Sequence, residues 1–447
     1  MNSAYHTGSA RAADKTLSVR TIGTMSITEQ KITPSQLRVG LHIRLDGWME
    51  HPFLFSSFKI RNEKQLRALQ SLGIEALWWL PEKSDVIPLP PPAADAPAPE
   101  PVPVEDPEMQ AMWRAKQERR ESLARQREAF GRCEKKFNAS VGRVKSLLRN
   151  LFALPQETLQ QAQEVVAEMV DMLLAEKDVV LHLMSAKSGD EGAYYHALNV
   201  TMLSLLLARE SGLSAEEMHA LGLGALLHDM GKERVPSQIL LKKTAWTAAE
   251  RSFYQQHVVY GVEMAAKLPG LAPGVLEVIA QHHEFLDGSG FPNKLSGDRI
   301  GRLGRIIAIA NTYDDYCNRL NPAEAMTPAD ALARMFRRER EEFDTGLLQH
   351  FIRCLGVYPP GSVVQLSNDA IGLVVNVNPG KLLQPTLMLY DPTVPKEEAL
   401  TLDLNEEAEL TVARTLHPNS LTRAIHEYLS PRSRISYYAE GSREKTR

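Results

Sequence analysis

At 447 residues the chain is longer than one hydrophobic core usually accommodates, so two or three domains are expected. Hydrophobic content of 43% and charged content of 24% are ordinary for a soluble protein, and a net charge of -4 supplies no field that would gather a nucleic-acid polymer. No apolar run reaches the roughly 18 residues that a bilayer-spanning helix needs, which excludes membrane insertion, and the three cysteines (Cys133, Cys317, Cys354) are too scattered for a disulfide framework.

The first segment, MNSAYHTGSARAADK, has no apolar signal core, and with so few cysteines a cytoplasmic location is expected. Residues 1–26 are rich in Ser, Thr, Ala and Gly without periodicity and read as a disordered tail. A small α/β domain follows over 27–87, assigned a regulatory role. QLRVGLHIRLDG alternates like a strand, with Leu37, Val39, Leu41, Ile43 and Leu45 on one face. Asn62 is placed to cap a short helix ended by Gly73, and IEALWWL reads as a second strand. Trp48, Phe53, Phe55 and Phe58 form an aromatic cluster, read first as core and second as a ligand or partner surface.

Residues 88–107 are Pro and Ala rich, which favours an extended, semi-rigid linker. Over 108–155 a charged helical stretch repeats Leu123, Phe130, Phe137, Val144 and Leu151 every seven residues, with Val141 and Leu148 on a companion seam. Two readings stay open: the helix packs on its own chain, or it pairs two copies as a coiled coil and makes a homodimer.

From 156 to 357 the pattern is helical, with helical periodicity running on through VVLHLM, so this domain is expected to be all-α. Ser214 with Glu217, and Thr247 with Glu250, have the spacing of capping boxes. Over 358–447 GSVVQL, IGLVVNV, TLMLYDP, ALTLDL and ELTVAR read as short strands of a β-rich extension. A short helix is expected near Leu421–Leu429, and the basic tail after Ser433 is expected to be loose. The fold class is therefore multidomain: an all-α bundle, a small α/β domain before it and a β-rich appendage after it.

The chemistry concentrates in the bundle. Six of the 13 histidines fall between 196 and 283, and LLHDMGK sets His228 beside Asp229 at the end of an apolar helix. Neutral imidazole is the commonest metal ligand and carboxylate its usual companion. Adjacent helical residues diverge by about 100°, so Asp229 can bridge two ions while His228 binds one of them. His282 and His283 form a second adjacent pair. His196 and His257 stand on separate helices and, taken singly, would be read as satisfied core residues; their company makes them ligand candidates. His219 lies among charges and reads as a surface residue. Two ions roughly 3.5–4 Å apart would activate water for attack at phosphorus, and Lys232, a turn beyond His228, would meet a phosphate oxygen. Nitrogen and carboxylate donors without thiolate suit Fe, Mn or Zn.

LLHDMGK followed by HHEFLDGSGFP resembles the HD-GYP family, the branch of the HD phosphohydrolases that hydrolyses cyclic di-GMP. The likeness runs from about 190 to 357. The region from Ile32 to Val86, with GWMEHPF, resembles the uncharacterised domain often found ahead of bacterial HD-GYP modules. The resemblance implies metal ligation by His196, His228, Asp229, His257, His282, His283 and Asn311, with Asp229 bridging and catalytic. It implies a catalytic phosphate contact from Lys232, and substrate contacts from Gly288, Gly290 and Arg319. The implied cofactors are two divalent ions, Fe or Mn, and no third, since Gly192 stands where some members carry Glu. The implied reaction turns cyclic di-GMP into pGpG and onward to GMP, and the GFP loop is implied as a contact for a signalling partner.

Four features depart from the family pattern. Phe291 replaces the signature Tyr. Asn311 stands where an Asp usually binds metal, so affinity should fall; Asp314, one turn away, is the candidate substitute. Gly192 is the third, and Leu-Asn-Pro after Arg319 replaces a common Tyr-Lys. The alternative is therefore a catalytically impaired scaffold that binds nucleotide or protein. A third reading is an HD-type phosphohydrolase of nucleoside phosphates.

Overall fold

The computed structural model describes the chain except residues 1–16, 23–24, 48–49, 54, 92–106, 152, 176–178, 186–191, 320, 322–323, 378–380, 393, 397–398, 408–409, 430–434 and 442–447. Trp48 and nearly all of the Pro-rich linker lie outside the described residues. The chain divides into two compact units, one of residues 1–125, 391–400 and 420–428, the other of 126–390, 401–419 and 429–447.

The first unit holds a five-stranded sheet in the order β1-β2-β5-β3-β4, from β1 (Leu17–Ile22), β2 (Met25–Ile32), β3 (His42–Arg44), β4 (Ser57–Lys59) and β5 (Leu77–Trp79). Every pairing is antiparallel, so strand and helix are segregated here and do not alternate as in a parallel α/β unit. The hairpin β1–β2 corrects the expectation of a loose tail for residues 17–22 and 25–26, and residues 1–16 of that expected tail lie outside the described residues. Helix α1 (Glu63–Gln70) begins where Asn62 accepts a hydrogen bond from the Gln65 N–H, as its capping position foretold. Leu37, Leu41, Ile43, Leu45, Phe53, Ile60 and Leu69 make the core. Only His42 to Arg44 of the alternating run is strand; Pro34 and the positive φ of Gly40 bend the chain on either side of Leu37. Phe53 packs on Phe58 with ring centroids 4.7 Å apart, which supports the core reading of the aromatic cluster.

Helix α2 (Pro107–Asn150) starts with Met109 in that core. Toward its end Phe137, Val141, Val144, Leu147 and Leu151 are buried within the chain. Leu147, not Leu148, carries the companion seam, and the side chains of Leu123 and Phe130 lie outside the described residues.

The second unit is built on α3 (Pro155–Ala175), α4 (Gly192–Glu210), α5 (Ala215–Leu227), the one-turn α6 (Ser237–Leu240), α7 (Ala248–Ala265), α8 (Pro273–Gln281), α9 (Arg302–Cys317), α10 (Pro328–Arg337) and α11 (Thr345–Leu355). Both capping boxes form, at Ser214 and Thr247. Helix α4 is buried along nearly its whole length, packed among α3, α5, α9 and α11. Two close approaches bring the site together. A Cβ on Gly224 would lie 2.5 Å from Val278, so α5 and α8 meet backbone to side chain. A Cβ on Gly231 would lie 1.9 Å from the His257 carbonyl, so the turn after α5 sits directly on α7.

The bundle is not purely helical. Residues Val179–Ser185 form β6, paired antiparallel with β12 (Ile435–Gly441). The run VVLHLMS was expected to continue a helix, and the stretch after Ser433 to be loose. Both are rich in β-branched and aromatic residues, and each completes the other's ladder. Between them β7 (Val363–Leu366), β8 (Ile371–Asn376), β9 (Thr386–Leu389), β10 (Thr401–Asp403) and β11 (Val412–Leu416) form an antiparallel sheet ordered β10-β9-β8-β7-β11. The helix α12 (Arg423–Leu429) falls where the sequence placed it. Residues 391–400 and 420–428 belong with the first unit, so 358–447 is not one appendage.

Candidate metal centre

Four helices deliver histidine to one point. His228 caps the C-terminus of α5 and His282 that of α8, so each side chain stands where the chain turns out of its helix. His196 lies in the first turn and a half of α4, and His257 in the middle of α7. Apolar neighbours drive all four helices inward, and every one of these rings is buried or nearly so.

Their hydrogen bonds settle their direction. His228 Nδ1 donates to the Ala225 carbonyl at 2.7 Å, His257 Nδ1 to the Tyr254 carbonyl at 2.7 Å and His282 Nδ1 to the Ile279 carbonyl at 2.8 Å. A carbonyl only accepts, so Nδ1 carries the proton in each ring and Nε2 keeps its lone pair. His257 Nε2 and His282 Nε2 then face each other at 3.2 Å. Burial holds the His257 imidazole down to about 4 and His282 well below its ordinary value, so no proton lies between them. Two lone pairs opposed in a dry interior call for a cation. Two nitrogens bound at about 2.1 Å to one ion, at an angle of about 100°, would be separated by about 3.2 Å.

Asp229 lies between the two halves. Its Oδ2 is 3.4 Å from His228 Nε2 and 3.5 Å from His196 Nε2; its Oδ1 is 3.5 Å from His257 Nε2 and 3.9 Å from His282 Nε2. Burial opposes its charge, but the surrounding imidazoles and Lys232 hold it well below the usual carboxylate range. Two donor triads result, His196 with His228 and Asp229, and His257 with His282 and His283. Asp229 Oδ1, His283 Nε2 and Asn311 Oδ1 are buried without a hydrogen-bond partner. Such orphans are costly unless something else satisfies them. The donor set therefore fits divalent metal ions.

Asp314 does not substitute for an aspartate at 311. It is fully buried, accepts from His196 Nδ1 at 2.6 Å through Oδ2, and from Asn199 Nδ2 and Asn318 Nδ2, each at 2.8 Å, through Oδ1. It orients His196, as carboxylates behind metal-binding histidines do. Burial opposes protonation of His196, yet Asp314 and the nearby Asp315 raise it to about 9. Sequence reasoning gave no role to Asn199, Asp315 or Tyr254. The signals were there in part: Asn199 follows His196 by three residues, and Tyr254 precedes His257 by three, each on its ligand's helical face.

Lys232 contacts Asp229 Oδ2, and its Nζ lies 5.4 Å from the Tyr254 ring centroid. Burial works against its charge, but Asp229 raises its affinity for the proton, so it is a fixed cation. Burial pushes the Tyr254 phenol up to about 12, so it keeps its proton. Trp246 packs on Tyr254 at 4.5 Å. Gly288 has φ +79, and a Cβ on Gly290 would lie 2.5 Å from the His283 carbonyl, so turn geometry and close packing account for both glycines. Arg319 is exposed past α9, with its guanidinium 5.3 Å from the Tyr316 ring, and its charge reaches Asp315. His219 bonds the Ala215 carbonyl of its own helix and takes no part in the cluster.

Residues 168–347 match the HD domain family, and residues 29–162 match a domain of unknown function (DUF3391). The chain is 28% identical to the cyclic di-GMP phosphodiesterase PA4108 of Pseudomonas aeruginosa, over 81% of this chain and 85% of that protein. It is 31% identical to the 3′3′-cGAMP-specific phosphodiesterase 2 of Vibrio cholerae, over 46% of this chain and 40% of that one. Among solved structures, Bd1817, a HDG"Y"P protein from Bdellovibrio bacteriovorus, aligns at 15% identity with a TM-score of 0.41, over 72% of this chain and 98% of that one.

Proposed function

We propose that the chain, whose residues 168–347 match the HD domain family behind a domain of unknown function, is a metal-dependent phosphodiesterase that hydrolyses cyclic di-GMP. The observation that carries this reading is the Asp229 carboxylate, with one oxygen toward His196 and His228 and the other toward His257 and His282. His196, His228 and Asp229 would hold one ion. Asp229, His257, His282 and His283 would hold the other, with the amide oxygen of Asn311 as a neutral ligand. Bound there, two divalent ions, Fe or Mn by their donor set, would supply activation of water at neutral pH and positive charge for an in-line displacement at phosphorus.

The chain's own residues do the rest. Asp229 holds both halves in register. Lys232 presents its ammonium to a non-bridging phosphate oxygen, and Tyr254 stands beside it as a neutral donor. Arg319 and the loop of Gly288 and Gly290 bound the substrate's approach. Breaking the bond from phosphorus to the 3′ oxygen opens the ring to pGpG, and a second cleavage gives GMP. The relatives named for cyclic di-GMP and for 3′3′-cGAMP support a cyclic purine dinucleotide as the substrate class.

The test is ion content together with turnover. Protein purified without oxygen and supplied with Fe or Mn is expected to hold about two ions per chain and to release pGpG. Asp229→Ala is expected to lose both properties. The Vibrio relative's substrate belongs in the same panel, since preference for 3′3′-cGAMP would redirect the substrate assignment. The uncharged Asn311 favours one second reading, a scaffold that binds nucleotide or a protein partner without turning it over. Two ions bound with cyclic di-GMP intact, and turnover restored by Asn311→Asp, would select it.

A further inference from the structure

His228, His257 and His282 are each oriented by an Nδ1–H bond to a helix carbonyl, and His196 by Asp314. His283 differs. Its ring makes no hydrogen bond among the described residues, and its Nε2 is buried without a partner. Three rings lie against it: Phe291, stacked face to face with centroids 4.4 Å apart and planes 24° apart, His282, tilted at 4.3 Å, and His257, edge-on at 5.2 Å. The same phenyl meets His257 edge-on at 6.2 Å.

The loop that carries Phe291 is itself held. The Phe291 N–H donates to the His283 carbonyl at 3.0 Å. The buried Glu284 carboxylate accepts the Asn293 N–H at 2.7 Å and the Leu295 N–H at 2.8 Å, closing the loop on the residue next to His283. Gly290 leaves no room for a side chain against that backbone, which presses the loop down. The phenyl therefore has a fixed plane to offer.

We propose that Phe291 is the positioning residue of His283, its flat ring setting the plane of an imidazole that no hydrogen bond orients, so that Nε2 is presented to the ion shared with His257 and His282. This rests on the dinuclear reading above. It gives the aromatic residue of the GFP loop a task that needs a planar face and not a hydroxyl, so phenylalanine serves. Loss of an orienting partner behind a metal-binding histidine typically weakens ion affinity about 10–100-fold.

The experiment uses the full chain with Mn(II) and compares wild type, Phe291→Tyr and Phe291→Leu. Ions per chain are followed by dialysis over a range of Mn(II) concentrations. Electron paramagnetic resonance separates coupled pairs from single ions, and thermal unfolding checks the fold. Wild type and Phe291→Tyr are expected to bind two coupled ions. Phe291→Leu keeps the bulk but not the plane, and is expected to unfold near the wild-type temperature while one ion binds about 10–100-fold more weakly and the coupled signal fades. If leucine unfolds the chain, Phe291→Met carries the same expectation. Two ions held by Phe291→Leu or Phe291→Met as tightly as by wild type would overturn the positioning role. A wild type that binds fewer than two ions would overturn the dinuclear reading, and this inference with it.

Discussion

Asp229 is useful because four imidazoles approach its carboxylate, and Asp314 because it stands behind one of them. The two acids are sorted by hydrogen bonding: Asp314 has both oxygens occupied by donors, whereas Asp229 Oδ1 has none. Asp314→Asn keeps the shape but removes the charge behind His196, so ion affinity is expected to fall about 10–100-fold, as a metal titration would show. Lys232→Met removes the fixed cation beside Tyr254. Here kcat/KM for cyclic di-GMP is expected to drop about a hundredfold, equivalent to about 2.7 kcal/mol. Ion content should stay at or above wild type, because a cation competing for Asp229 has gone; loss of ions in this variant would refute a phosphate role. Of the candidate histidines that the structure brings together, His282 and His283 were legible as an adjacent pair and His228 through its neighbour Asp229, whereas His196 and His257 were legible only through that company. Asp314 was misread because its partner, His196, lies far back in the chain, and no spacing rule connects residues on α4 and α9.

At the scale of elements, the site depends on how closely the turn after α5 approaches α7. Gly231 has no freedom to gain a side chain, since a Cβ would meet both the His257 carbonyl at 1.9 Å and the Gly261 nitrogen at 2.4 Å. Gly231→Ala must push that turn outward and carry Asp229 and Lys232 with it. We expect destabilisation of about 3 kcal/mol and loss of bound ions, measured by denaturant unfolding and elemental analysis. Unchanged stability would mean that the turn yields without cost. The helices themselves were legible from capping chemistry: Ser214, Thr247 and Asn62 each accept the N–H bond their position promised. The strands β6 and β12 were not, because each is a short run whose partner lies at the other end of the unit. Hydrophobic periodicity cannot separate a seven-residue apolar strand from two turns of helix.

Over the whole molecule, that same pairing ties the end of the second unit to its beginning. β12 pairs with β6 from Ile435 opposite Ser185 to Gly441 opposite Val179, and it packs against α3 and α4. The helix α4 that β12 packs against is the one that brings His196 to the site. The contact also closes a loop of chain that runs through helices α4 to α12, a connection that forms slowly and rewards the fold only when complete. Stopping the chain after residue 434 would leave β6 as an unpaired edge, open to pairing with another copy. The shortened protein is expected to unfold about 5–10 °C lower and to scatter light on heating before the full chain does. Its ion content should fall at the His196 half first, leaving the ion of His257, His282 and His283 in place. If the shortened protein unfolds at the wild-type temperature with both ions bound, β12 is an accessory to the bundle and its ladder with β6 contributes nothing to the site.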